Sequence, residues 1–217
     1  MILTGHDFEE CLETEMFVNH SDLELFEKIV AYCADTKKNS NISNKNIHHA
    51  LILAKAVFSG ADTRVHILSG GLNFDKHEDV SLSETWVNFT DAARRFLSKD
   101  GSELDILIAD TIKDGESNRF LTAIINDACR KGQVIVRVPT DKRIENVQHF
   151  MVSDQSAYRI ETDDKGTIAI GNFGDNTTAR KLIKIHERIS KKLFEDGACH
   201  IYRFSRGENF SLQNVQA

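Results

Sequence analysis

Three short apolar runs, spaced by helical stretches, constrain the fold of this chain more than any other feature. They are VHILSG (65–70), LDILIA (104–109) and QVIVRV (133–138). Before the first lies IHHALILAKAVFSG, a helix that Gly60 ends. Between the first and second, a helix from about Ser83 places Trp86, Phe89, Ala93 and Phe96 at spacings of three, four and three. Between the second and third, SNRFLTAIINDACRKG (117–132) reads as a helix with Arg130 and Lys131 in its last turn and Gly132 as its stop. Strand, helix, strand, helix, strand with short connections implies parallel strands joined by right-handed crossovers.

After Pro139 the rhythm changes. HFMVS (149–153), AYRIE (157–161) and TIAIGNF (167–173) are short strands separated by the turn signals DQ and DDKG. They predict an antiparallel meander. A last helix, TTARKLIKIHERISKKLFED, follows; Ala179, Leu182, Ile183, His186, Ile189 and Leu193 form its buried face, and Gly197 ends it. HIYRF (200–204) is a candidate final strand. The expected class is α/β: a mixed sheet with a parallel βαβαβ core, then an antiparallel meander and a C-terminal helix.

At 217 residues and 41 % hydrophobic, the chain is long enough for one substantial core. Residues 21–35 read as a helix, with Ser21 and Glu24 as a capping box. The polar stretch DTKKNSNISNKN (35–46) is the best linker candidate. The expected organisation is an acidic helical appendage over 1–40, packed on the main body or on a partner, and an α/β domain over 41–217. The net charge of −6 is uneven: residues 1–35 carry nine acidic residues against Lys28, which leaves +2 on the rest. No global basic balance argues for nucleic acid, although a local one remains open.

No run of about 18 apolar residues exists, so no membrane span is expected. The N-terminus MILTGHDFEE lacks the regions of a secretory signal. Cys11, Cys33, Cys129 and Cys199 have no CxxC spacing, which disfavours a cysteine zinc site and a disulfide framework. A reduced, cytoplasmic protein is the expectation.

The order of elements and the residues of the meander resemble one half of a phospholipase D-like domain, over roughly residues 45–196. In that superfamily, two parallel βα units precede a strand bearing His-x-Lys-x-x-x-x-Asp. A Gly-Ser-x-Asn element and a helix follow. Placing FMVSD on the motif's hydrophobic run puts Asp154 in the aspartate position, His149 in the lysine position and Val147 in the place of the nucleophilic histidine. IGNFGD (170–175) resembles a displaced Gly-Ser-x-Asn element with Asn172 as its polar residue. A slip of two residues makes His149 the nucleophile, with Met151 replacing the lysine and Ser156 the aspartate. The family's reaction needs one imidazole as nucleophile, a second as general acid, and lysines on the phosphate oxygens. Valine supplies none of these. The resemblance also implies pairing of two halves across a two-fold axis, hence a homodimer.

Other residues are candidates beside this motif. His149 and Asp154 also have plain readings, as a strand residue and a turn residue. Arg159 and Glu161 share a face of the second meander strand, either as a cross-strand pair with His149 or Asp154 or as a ligand-facing cluster. Ligands of open α/β sheets sit beyond the carboxyl ends of the parallel strands, which here carry Ser69, Gly70, Gly71, Asp110, Asp114 and Asp141. Neither GxGxxG nor GxxxxGK[ST] occurs there. His48 and His49 are expected on the surface. On the last helix, six basic residues stand against Glu187 between Thr177 and Lys192, and Lys184, Arg188 and Lys191 line one face. That face is either a solvated surface or a contact for phosphates or an acidic partner.

The leading expectation is a non-catalytic phospholipase D-like binding or assembly subunit, with no cofactor and no metal. By fold analogy alone, it would belong to a bacterial nucleic-acid-handling or phage-defence complex. The alternative is an active phosphodiesterase or nuclease with a rearranged site, in which His149 is nucleophile or acid, Asp154 orients it, and Asn172 and Arg159 hold the phosphate. A third reading is a nucleotide sensor with its pocket near Ser69, Asp110 and Thr140–Asp141.

Overall fold

The computed structural model describes residues 23–44, 46–72, 83–110, 118–140, 144–145, 147–154, 156–162 and 168–205. Asp114, Asp141 and Ser21, singled out above, lie outside them.

One eight-stranded mixed sheet organises the described residues, in the order β1 (Ile42–Asn44), β7 (Ala169–Asn172), β6 (Tyr158–Glu161), β5 (Phe150–Ser153), β2 (Arg64–Ser69), β3 (Glu103–Ile108), β4 (Gln133–Pro139), β8 (Cys199–Phe204). Strands β2 (Arg64–Ser69), β3 (Glu103–Ile108) and β4 (Gln133–Pro139) are parallel and lie side by side. Strands β5 (Phe150–Ser153), β6 (Tyr158–Glu161) and β7 (Ala169–Asn172) form the expected meander, attached antiparallel to β2. The last strand, β8 (Cys199–Phe204), closes the opposite edge antiparallel to β4.

Alternation along the strands sorts side chains onto two faces. Val65, Ile67, Ile106, Val136 and Met151 face one core, which helices α1 (Leu23–Asp35), α2 (Ile47–Gly60), α3 (Glu84–Leu97) and α4 (Arg119–Ile125) cover. Leu68, Leu107, Phe150 and Val152 face the other, beneath α5 (Asn176–Glu195). Nine of the fourteen residues of α2 are buried, because it lies between the sheet and its neighbours α1 and α3. Helix α5 is buried on one face only, at Ala179, Leu182, His186 and Ser190. Side-chain caps start four of the helices: Asn46, Ser83, Asn118 and Asp175 each accept a backbone N–H of the first turn.

Three local expectations are corrected. Residues 35–46 are not a plain linker: they hold β1 (Ile42–Asn44), which pairs antiparallel with β7. Its polar flanks explain why composition misleads, since Asn39 and Asn41 both accept from the Asn172 amide, at 3.0 Å each. Helix α4 ends at Ile125, well short of Gly132. Arg130 turns inward instead of ending a helix; it is 2 % exposed and donates to the carbonyls of Ile125, Gly132, Phe204 and Ser205. His49, expected on the surface, is fully buried and stacks on Phe26 with ring centroids 4.0 Å apart. That stack fixes α1 on the body, with Ile29, Val30 and Cys33 in the main core.

Candidate functional site

The carboxyl ends of β2 and β3 meet the entry to β5, and candidates from two separate lines of sequence reasoning come together there. Antiparallel pairing of β5 with β6 sets His149 opposite Glu161, whose N–H donates to the His149 carbonyl at 2.9 Å. On the same pleat face, His149 Nδ1 lies 2.9 Å from Glu161 Oε2. Arg159, two residues earlier on β6, donates from Nη1 to Glu161 Oε1 at 2.8 Å. All three side chains are largely buried, with Arg159 7 % and Glu161 14 % exposed. Burial alone would raise the Glu161 pKa, but the His149 hydrogen bond and the Arg159 charge hold its carboxyl below the usual range.

Gly70 fixes how closely β2 approaches this group. A Cβ there would lie 3.2 Å from both Asp110 Oδ2 and His149 Cε1, and 3.6 Å from His149 Nε2. Gly70, Asp110 and His149 therefore share one spot, and Asp110 N–H donates to the Gly70 carbonyl at 2.9 Å. The loop beyond Gly70 is braced by Asn118, which donates to the Gly71 carbonyl at 3.1 Å.

Asp154 and Asn172 stand elsewhere. Asp154 sits at the far end of β5, about 16 Å from His149 along an extended chain. Its carboxylate accepts from the Asp62, Thr63 and Arg64 N–H groups and from the Thr63 hydroxyl, pinning the turn into β2. Burial would raise its pKa, but these hydrogen bonds outweigh burial and lower it. Asn172, 2 % exposed, bonds Asn39, Asn41 and the N–H groups of Gly174 and Asp175. Among the described residues, the hydrogen bonds of both go to these partners and not to His149. Val147 packs with Ile144 against the α5 side of the sheet. Met151 is 4 % exposed within the core.

Lys184, Arg188 and Lys191 are exposed along the outer face of α5. Arg188 and Lys192 also line a groove of about 570 Å³ floored by Ile144, Val147, Ile189 and Leu193.

A second polar group, absent from the candidates above, lies under α5. His66 on β2 and Asp105 on β3 are in register, and His186 descends onto them from the helix. Arg137 on β4 forms an ion pair with Asp105. Burial, then the Arg64 and Arg137 charges, push His66 down to about 4. Burial, with His66 and Arg137, pushes His186 down to about 3. Both imidazoles are therefore neutral at pH 7. His66 and Asp105 interrupt otherwise apolar strands, the one local sign that they face something polar.

No helix among the described residues is long and apolar enough to cross a membrane. No family model matches the chain, and no curated protein matches it. Among solved structures, the chain is similar to NucT from Helicobacter pylori, at 12 % identity and a TM-score of 0.46, over 76 % of this chain and 99 % of NucT. It is also similar to TrmBL2, an archaeal chromatin protein with a novel mode of DNA binding, at 11 % identity and a TM-score of 0.44, over 86 % of this chain and 66 % of that one.

Proposed function

We propose that this chain is a phospholipase D-like binding and assembly subunit that holds a nucleic-acid or protein partner without hydrolysing it. The observation that carries the reading is the double engagement of Glu161. One oxygen takes His149 and the other takes Arg159, so the cation nearest the imidazole is already neutralised. Among the described residues, Arg159 brings one positive charge to the site, while Glu161 and Asp110 bring two negative ones. A phosphodiester transition state needs the opposite balance. On α5, the exposed Lys184, Arg188 and Lys191 form a stripe suited to a phosphate backbone or an acidic protein surface. A homodimer within a larger nucleic-acid-handling or phage-defence complex is the assembly that fits this reading.

Labelled single- and double-stranded oligonucleotides test it by fluorescence anisotropy across a salt series, with intact strands recovered afterwards. Binding that weakens with salt, without cleavage, is the expected result. Cleavage that disappears in His149→Ala would overturn it.

One observation favours a second reading, an active phosphodiesterase. An imidazole anchored through Nδ1 on a carboxylate is oriented for chemistry at Nε2. His149 Nε2 would attack phosphorus, and the departing oxygen would take a proton from His149 of a second copy. Water would then release the phosphate from the ring. This route needs no metal, so its activity would survive EDTA.

A further inference from the structure

We propose that His66, Asp105 and His186 form a zinc site that fastens α5 to the sheet. Three elements converge to build it: two adjacent parallel strands and the helix that covers them. One ligand atom from each residue lies within 4.8 Å of the others, and His186 Nε2 stands 4.0 Å from Asp105 Oδ1. The two rings are 4.8 Å apart between centroids and inclined at 55°, so they converge without stacking.

Burial makes the arrangement informative. His186 is 0 %, His66 3 % and Asp105 7 % exposed. Both ring nitrogens of His186 and Nδ1 of His66 are buried without a well-formed hydrogen bond, although the Ile67 backbone interacts with the His186 ring. Buried polar atoms are nearly always satisfied, and one nitrogen from each ring converges with an Asp105 oxygen, which calls for a common partner there. A cation bound by lone pairs supplies it.

The donor set selects the ion. Two imidazoles and one carboxylate suit Zn²⁺, whereas Ca²⁺ and Mg²⁺ prefer all-oxygen sites. Bonds of about 2.0–2.2 Å place tetrahedral ligand atoms about 3.5 Å apart. Closing from the present spacing takes shifts on the order of 1 Å, within reach of side-chain rotation. Arg137, paired with Asp105, is the outer partner that aims the carboxylate. Its positive charge also works against the ion, so the affinity falls below that of a site without a neighbouring cation. A water molecule would fill the fourth position.

The test is zinc titration of full-length, chelator-treated protein, with bound metal measured by elemental analysis and Co²⁺ used as a spectroscopic probe. One zinc per chain, tetrahedral Co²⁺ absorption bands and a rise in Tm on zinc addition are expected. His186→Gln and Asp105→Asn should each lose that equivalent, with far-UV circular dichroism reporting whether the fold survives. His186→Cys, which keeps a ligand at the same place, should restore uptake even if His186→Gln packs poorly. Uptake that is unchanged in both loss variants would place the metal on surface histidines and overturn the proposal. So would a protein that takes up less than a tenth of an equivalent.

Discussion

His149 and Glu161 meet at 2.9 Å across two antiparallel strands, and the other carboxylate oxygen of Glu161 is held by Arg159 at 2.8 Å. These three side chains form one connected polar group at the carboxyl ends of the parallel strands. It makes Glu161 the residue on which both the site and its electrostatics depend. Glu161→Gln should cost about 3 kcal/mol of unfolding free energy, because it leaves the Arg159 charge buried with its ion pair broken. Urea denaturation measures this, with Lys181→Ala, exposed on α5, as the surface control.

Asp154 is expected to act through stability alone. Its carboxylate accepts three backbone N–H groups and one hydroxyl around the turn into β2. Asp154→Ala should cost about 1–2 kcal/mol, the range for losing such a cap at a partly exposed position. The sign of the pH effect follows from its lowered folded pKa. The unfolded chain binds the proton first, so this stabilisation is complete above about pH 4 and is lost as pH falls through the folded value. Denaturation midpoints between pH 5 and pH 2.5 should fall more steeply for the natural protein than for Asp154→Asn.

Gly174 marks a close crossing of two chain segments. A Cβ there would sit 2.2 Å from the Lys37 carbonyl oxygen and 2.7 Å from Asn39 N, both backbone atoms. Gly174→Ala should therefore displace the segment leading into β1 and cost about 2–3 kcal/mol. Gly60→Ala, where an added Cβ meets nothing within 4 Å, should be tolerated. Thermal unfolding of the two variants side by side separates a steric cost from a general effect of replacing glycine.

The basic stripe of α5 should carry nucleic-acid affinity if that polymer is the partner. Reversing Lys184, Arg188 and Lys191 to Glu removes three possible phosphate contacts. The slope of log affinity against log salt should then fall in magnitude by about 3. Stability should hardly change, since all three are exposed. A retained salt slope would move the contact surface off this helix.

The parallel core and the meander are both legible in the sequence, because each rests on a local period: apolar runs of six, then alternation broken by Asp-Gln and Asp-Asp-Lys-Gly. Arg159 and Glu161 are legible for the same reason, since alternate residues share a face. What escapes is what depends on register between distant segments. His66 pairs with Asp105 only through the parallel alignment of β2 and β3, and His186 reaches them only when α5 docks. Asp154 reads as a turn residue, but its four donors come from residues 62–64. Arg130 fits the local pattern of a helix C-terminus, yet the carbonyls of Phe204 and Ser205 draw it inward.

Whether His149 holds a ligand or attacks one is decided most directly by covalent trapping. Full-length protein is incubated with labelled single- and double-stranded oligonucleotides in EDTA, quenched, and resolved under denaturing conditions beside His149→Ala. The account expects no labelled protein in either lane and intact strands in both. A labelled adduct in the natural protein, alkali-stable and acid-labile as a phospho-histidine is, and missing from His149→Ala, would contradict it.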